Sequence, residues 1–70
     1  SEREAWLSEG KTYPTPIGTL TVHSVEHTKD GKYVVVLHLK FNDGSTMKRR
    51  REYSDSDFRR IAELGPSWDI

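Results

Sequence analysis

Four consecutive cations, Lys48-Arg49-Arg50-Arg51, form the densest charge in this 70-residue sequence. Such side chains neutralise phosphates, and arginine also reads a guanine edge through two parallel hydrogen bonds. His38, Lys40 and Tyr53 are brought beside them by strand pairing and would add hydrogen bonds or ring stacking. His38, Lys40, Lys48, Arg49, Arg50, Arg51 and Tyr53 therefore make up the candidate binding site. Nucleic acid is the first expected partner and a protein the second. The same cations equally serve a plainer purpose, since charged side chains on an edge strand prevent edge-to-edge pairing. Glu52, Asp55 and Asp57 follow at once and neutralise part of the run.

Other chemistry-bearing types are sparse. His23 and His27 would share a face if helical, but on a strand four residues span roughly 13 Å, too far for two ligands of one zinc. A cross-strand pairing of His23 with His38 makes a pH-sensitive cluster beside the arginines instead. The sequence has no cysteine, no Gly-x-Ser-x-Gly elbow and no glycine-rich phosphate loop, and Asp55-Ser56-Asp57 reads as helix capping. Neither catalysis, a metal, a cofactor nor a small-molecule substrate is expected. Trp6 and Trp68 lie outside the expected core, and tryptophan is enriched at interface hot spots. They are the candidate protein interface of a small regulator or inhibitor, the second functional reading.

Composition bounds the class. Seventy residues make one domain, and chains of this size bury only about 60% of their unfolded surface. With 33% hydrophobic residues and a mean hydropathy of -0.80, a homodimer or a partner that completes the core is expected. The absence of cysteine excludes a disulfide scaffold and fits a cytoplasmic protein. No window approaches a membrane span, and Ser1-Glu2-Arg3-Glu4 lacks the basic start of a secretion signal. Formal net charge is zero, but residues 32–60 carry eight bases against four acids, whereas residues 1–31 carry three against five and residues 61–70 two acids alone.

The elements that must position the cations follow from turn and cap signals. Asp30-Gly31 and Asp43-Gly44 separate three runs rich in β-branched and aromatic residues, at 19–28, 32–41 and 45–53. They predict an antiparallel meander. A two-residue turn at Asp30-Gly31 pairs Val22 with Leu39, His23 with His38 and Val25 with Val36. Leu20, Val22, Tyr33, Val35, Leu37, Leu39 and Phe41 then share the core face. Thr21, His23, Val25, His27, Val34, Val36, His38 and Lys40 share the other. A two-residue turn at Asp43-Gly44 puts Arg49 and Arg51 on that other face with Tyr53. A bulged turn with left-handed Gly44 exchanges them for Lys48 and Arg50.

Ser54 caps a helix at 54–64, with Asp55 and Asp57 in its first turn and Gly65-Pro66 beyond its end. Phe58, Ile61 and Leu64 are expected to cover Leu37, Leu39 and Val35. Ser1 and Glu4 form a capping box for a short helix over 1–11, which is otherwise a disordered end. The prolines at 14 and 16 make 12–18 an extended connector, and 65–70 a tail. The reading is α+β: a three-stranded antiparallel meander at 19–53 with a C-terminal helix packed on one face.

In outline, three strands and a C-terminal helix look like the arm-type DNA-binding domains of some mobile-element integrases and the plant AP2 domain. Arg50-Arg51-Glu52-Tyr53-Ser54-Asp55-Ser56-Asp57-Phe58 is similar to the basic-Tyr-Ser-Asp-Phe strand-to-helix junction of phosphoinositide-binding PX domains. It departs from that junction at Glu52, which separates Arg51 from Tyr53, and at Ser56 and Asp57, which are extra before Phe58. Neither binding residues nor a fold are carried over from it.

Overall fold

The computed structural model describes residues 5–70, which form an antiparallel sheet in the order β1-β2-β3-β4 and one C-terminal helix, an α+β arrangement. The strands are β1 (Thr12–Thr15), β2 (Gly18–His27), β3 (Tyr33–Phe41) and β4 (Thr46–Tyr53), and the helix α1 is Asp55–Leu64. The sheet has four strands where three are expected. The additional strand is the Pro-rich connector, in which Thr12 pairs with Thr21 and Tyr13 with Leu20. Pro14 is tolerated there because β1 is an edge strand, so a missing N–H breaks no ladder between two neighbours.

The turn at Pro16-Ile17 is held by the Thr15 hydroxyl, which accepts from the Gly18 amide at 3.1 Å and donates to the Gly18 carbonyl at 2.8 Å. Gly18 admits no side chain, because a Cβ there would lie 2.1 Å from the Lys40 carbonyl oxygen.

Both Asp-Gly hairpins use three-residue loops. The Thr28 amide donates to the Lys32 carbonyl at 2.8 Å and the Gly31 amide to the Thr28 carbonyl at 3.1 Å. The second loop repeats this, with Phe41 to Ser45 at 2.8 Å and Gly44 to Phe41 at 2.9 Å. Gly31 (φ 84) and Gly44 (φ 92) close the loops in the left-handed region that costs glycine least. Asp43 Oδ1 accepts from the Ser45 amide and hydroxyl, and Thr28 donates to Asp30.

The first hairpin therefore departs from the two-residue turn, and the register changes with it. Val22 pairs with Leu37 and Thr21 with His38. The pairing slips by two positions, an even number, so the core face of this half is preserved. A bulge between Val22 and Ser24 leaves His23 unpaired and supplies one of those two positions, while the three-residue loop alone supplies the other and sets Val25 opposite Val35 and His27 opposite Tyr33. That odd slip transfers Val25 and His27 to the helix side, away from the face on which simple alternation puts them.

The core consists of Trp6, Leu7, Leu20, Val22, Val35, Leu37, Leu39 and Ile61. Burying each such side chain contributes about 1.5–3 kcal/mol. Trp6 and Leu7 are core residues rather than residues outside it, and residues 5–11 contain no helix. The capping pair Ser1 and Glu4 lies outside the described residues. Trp6 Nε1 donates to the Ile61 carbonyl at 3.0 Å, and the Tyr13 hydroxyl donates to the Trp6 carbonyl at 2.8 Å. The first bond satisfies one of the last-turn carbonyls that a helix leaves without an internal partner.

Ser54 caps α1 through its hydroxyl, which accepts from the Asp57 amide at 3.2 Å. Phe58 stacks on Tyr33 at 4.0 Å and Tyr33 on His27 at 4.4 Å, a three-ring column from helix to sheet. Ile61 is buried as expected, but Leu64 is 73% exposed. The last turn of α1 therefore does not bury Leu64 over the strands it was expected to cover.

Candidate functional site

The pleat of β4 divides the basic run between two faces. Met47 lies opposite Leu39, Arg49 opposite Leu37, Arg51 opposite Val35 and Tyr53 opposite Tyr33, so these four share the side that carries the core and α1. Thr46 lies opposite Lys40, Lys48 opposite His38, Arg50 opposite Val36 and Glu52 opposite Val34, so these project from the other side. This is the bulged register, set by the three-residue loop that ends at Gly44. Of the seven residues singled out from sequence, His38, Lys40, Lys48 and Arg50 meet on one face, and Arg49, Arg51 and Tyr53 do not join them.

The helix-side residues are engaged with the fold. Arg49 donates from Nη1 to the Trp68 carbonyl at 2.7 Å, and its guanidinium carbon stands 4.7 Å from the centroid of the Trp68 ring. Trp68 is thus drawn onto β4, half-buried, and together with Ile70 packs against the core. Arg51 Nη1 reaches round the strand to the Arg50 carbonyl at 3.0 Å. The Tyr53 hydroxyl is buried with no hydrogen-bond partner among the described residues, and burial pushes its pKa up from the usual 10.0, making it a weaker acid.

The opposite face is uncovered among the described residues. Lys40, Lys48 and Arg50 are exposed there, with Arg50 Nη1 3.4 Å from Glu52 Oε2. An ion pair this exposed contributes little and leaves the arginine free to exchange partners. The His23 and His38 rings stack with centroids 4.3 Å apart and planes inclined by 12°. Partial burial, then His23 and then Lys48 hold the His38 imidazole below its usual 6.5. Thr21, His38, Lys40, Thr46 and Lys48 all line one shallow depression of about 350 Å³ on this face.

Thr21 and Thr46 were missed by sequence reasoning. The loop length alone would have found Thr46, which faces Lys40, whereas Thr21 faces His38 only through the bulge at His23. His23 reaches His38 through the bulge rather than through a ladder pair. Its chain neighbour in the supposed metal pair, His27, lies on the opposite side of the sheet, stacked on Tyr33. Among the described residues no group of three or more His, Asp or Glu side chains is placed to hold a metal, and no helix is long and apolar enough to cross a membrane. A second depression of about 520 Å³, between the end of α1 and the tail, mixes Ile61, Leu64 and Ile70 with Arg60 and Asp69 and has no convergent donor set. No protein-family model, no curated protein and no solved structure matches this chain.

Proposed function

We propose that the protein is a non-enzymatic binding module that holds nucleic acid against the sheet face opposite α1. One observation carries the reading: Lys40, Lys48 and Arg50 project from a face that no other described element covers, with His38 among them. Cations on a flat antiparallel sheet neutralise backbone phosphates, and a sheet of this kind also enters a major groove. Lys48 and Arg50 supply the phosphate contacts from β4 and Lys40 from β3. Imidazole and threonine hydroxyls add directional hydrogen bonds. The zero net charge of the chain makes binding local and salt-sensitive rather than driven by a long-range field.

Fluorescence anisotropy of labelled duplex and single-stranded DNA over a salt series tests this directly. Saturable binding that weakens with salt and is lost in Lys48→Glu/Arg50→Glu is the expected result. Absence of binding at low salt, or equal loss in a folded Arg49→Glu/Arg51→Glu protein, would remove the bare face as the binding surface.

A protein partner is the second reading, favoured by the outer edge of β4, where no described strand pairs and the Arg50 carbonyl is engaged by Arg51. Its odd-numbered residues bond to β3, as the Phe41 amide bond to Ser45 shows for the first pair, so Thr46, Lys48, Arg50 and Glu52 direct their backbone groups outward. Such an edge accepts a strand from another chain. Thr46→Pro removes an outward N–H and no ladder bond, so it would weaken strand addition and leave DNA binding within about twofold.

A further inference from the structure

The depression on the bare face has the donor set of a phosphate site. Lys48 lies opposite His38, and Lys40 lies opposite Thr46 in the next outward pair, while Thr21 faces His38 from β2. Both β3–β4 pairs are of the kind that is not hydrogen-bonded, in which cross-strand side chains stand closest. Residues that carry two ammonium groups, one imidazole and two hydroxyls therefore line, with Leu39 and Met47, a single hollow of about 350 Å³. No carboxylate lines it. On this face the carboxylates of Glu26 and Glu52 both lie level with Val34, beyond Val36, and Glu52 is turned towards Arg50.

The imidazole at this hollow is one of a stacked pair. Partial burial, the His23 ring stacked 4.3 Å away and Lys48, in that order, hold the proton off His38. Charges near it come from every neighbouring strand: Lys40 on β3, Lys48 and Arg50 on β4, and Glu26 on β2. Beside β1, Glu9 and Lys11 flank Gly10, whose amide bonds to the Val22 carbonyl next to His23. An anion seated between Lys40, Lys48 and His38 opposes the Lys48 charge that disfavours the proton on His38.

We propose that this hollow seats one phosphate of a nucleic-acid strand, and that His38, which lines it, takes up a proton when it does so. The assignment rests on the bare-face reading above and adds to it a place and a proton linkage. The bound state holds the proton more tightly than the free state, so affinity rises as pH falls through the bound-state titration and levels off once His38 is protonated in the free protein as well. One proton taken up corresponds to as much as about tenfold in affinity per pH unit within that window. Internal phosphodiesters carry a single charge throughout this range, so the titration belongs to the protein.

The test uses the intact protein and a labelled single-stranded 12-mer, with anisotropy measured between pH 5.5 and 8.0 at constant ionic strength. Amide shifts are mapped in parallel with inorganic phosphate. Affinity should rise about tenfold between pH 7.5 and 5.5, with the largest shifts at Thr21, His38, Lys40, Thr46 and Lys48. His38→Gln should flatten the profile to within about twofold, and an unchanged melting temperature at pH 8 would show that the fold survives. A flat wild-type profile, or one that persists in His23→Gln/His38→Gln, overturns the proton linkage while leaving salt-sensitive binding intact. Failure to bind the 12-mer at any pH overturns the bare-face reading itself. Shifts at the five residues with inorganic phosphate or anionic phospholipid vesicles alone would then overturn nucleic acid as the source of the phosphate.

Discussion

Lys48 and Arg49 are adjacent in the chain and chemically alike, yet they occupy opposite sides of the sheet and do different things. Arg49 lies over Leu37, bonded to the Trp68 carbonyl with its guanidinium over the Trp68 ring. Lys48 stands over His38 on the uncovered face, exposed and lining the shallow hollow. The difference shows that a run of like charges on a strand is two sets of residues. On one side Arg49 holds the tail on the core, and on the other Lys48 and Arg50 face outward, a division that follows from the period of two between successive side chains.

Substitutions at neighbouring positions of opposite faces should break this symmetry most visibly in the core. Leu37→Ala is expected to cost about 2–5 kcal/mol, whereas His38→Gln, one residue on and on the other face, should stay within about 0.5 kcal/mol at pH 8. Urea denaturation followed by tryptophan fluorescence measures both, and comparable losses would refute the division of β3 into a buried and an open side.

On β4 the contrast is smaller. Arg49→Ala removes a charged hydrogen bond and a cation–π contact and is expected to cost roughly 1–2 kcal/mol, while Lys48→Ala should leave stability within about 0.5 kcal/mol and weaken DNA binding instead. A stable Arg49→Ala protein with unaltered Trp68 emission would show that the tail is not held this way.

The division depends on the loop that ends at Gly44. Gly44→Ala places a side chain at φ 92 and should cost about 1 kcal/mol. The position has open space around it, so the loss is conformational and the strand pairs should persist. Amide exchange that collapses along the whole of β4 in this variant would mean that Gly44 sets the register alone.

The smallest effect expected is on pH-dependent stability. The folded His38 titrates below 6.5 because of partial burial, His23 and Lys48, so near that pH the unfolded chain binds more protons. Stability should be complete above about pH 7, decline as pH falls from 6.5 towards the lower folded value, and level off beneath it. His38→Gln should flatten that decline, and an identical melting profile in both proteins between pH 5 and 7.5 would exclude it.

Much of this molecule is written locally. The alternation Tyr33, Val35, Leu37, Leu39 needs no partner to declare a half-buried strand, and Ser54 with Asp55 and Asp57 declares a helix start from side-chain reach and dipole alone. Asp30-Gly31 and Asp43-Gly44 likewise mark where the chain reverses. What they do not carry is the loop length. Two and three residues suit the same dipeptide, and one residue decides whether Lys48 and Arg50 or Arg49 and Arg51 face the open side.

Other features were illegible for different reasons. The Pro-containing segment becomes β1 because β2 offers it an open edge, a circumstance that local propensity does not encode. Trp6 is buried because Leu20, Val22 and Ile61 leave room for it, and its indole finds the free Ile61 carbonyl at the end of α1. The bulge at His23 is equally non-local. It returns Leu20 and Val22 to the core side after the odd slip of the loop and leaves His23 against His38.

Periodicity, turn dipeptides and caps thus suffice for three strands, a helix and the identity of most core residues, because each acts over a few bonds. Which cations share a face, which histidines touch and where the two tryptophans go required the folded chain. Those outcomes depend on register and on contacts between residues far apart in sequence, and a single-residue difference in a loop is enough to invert them.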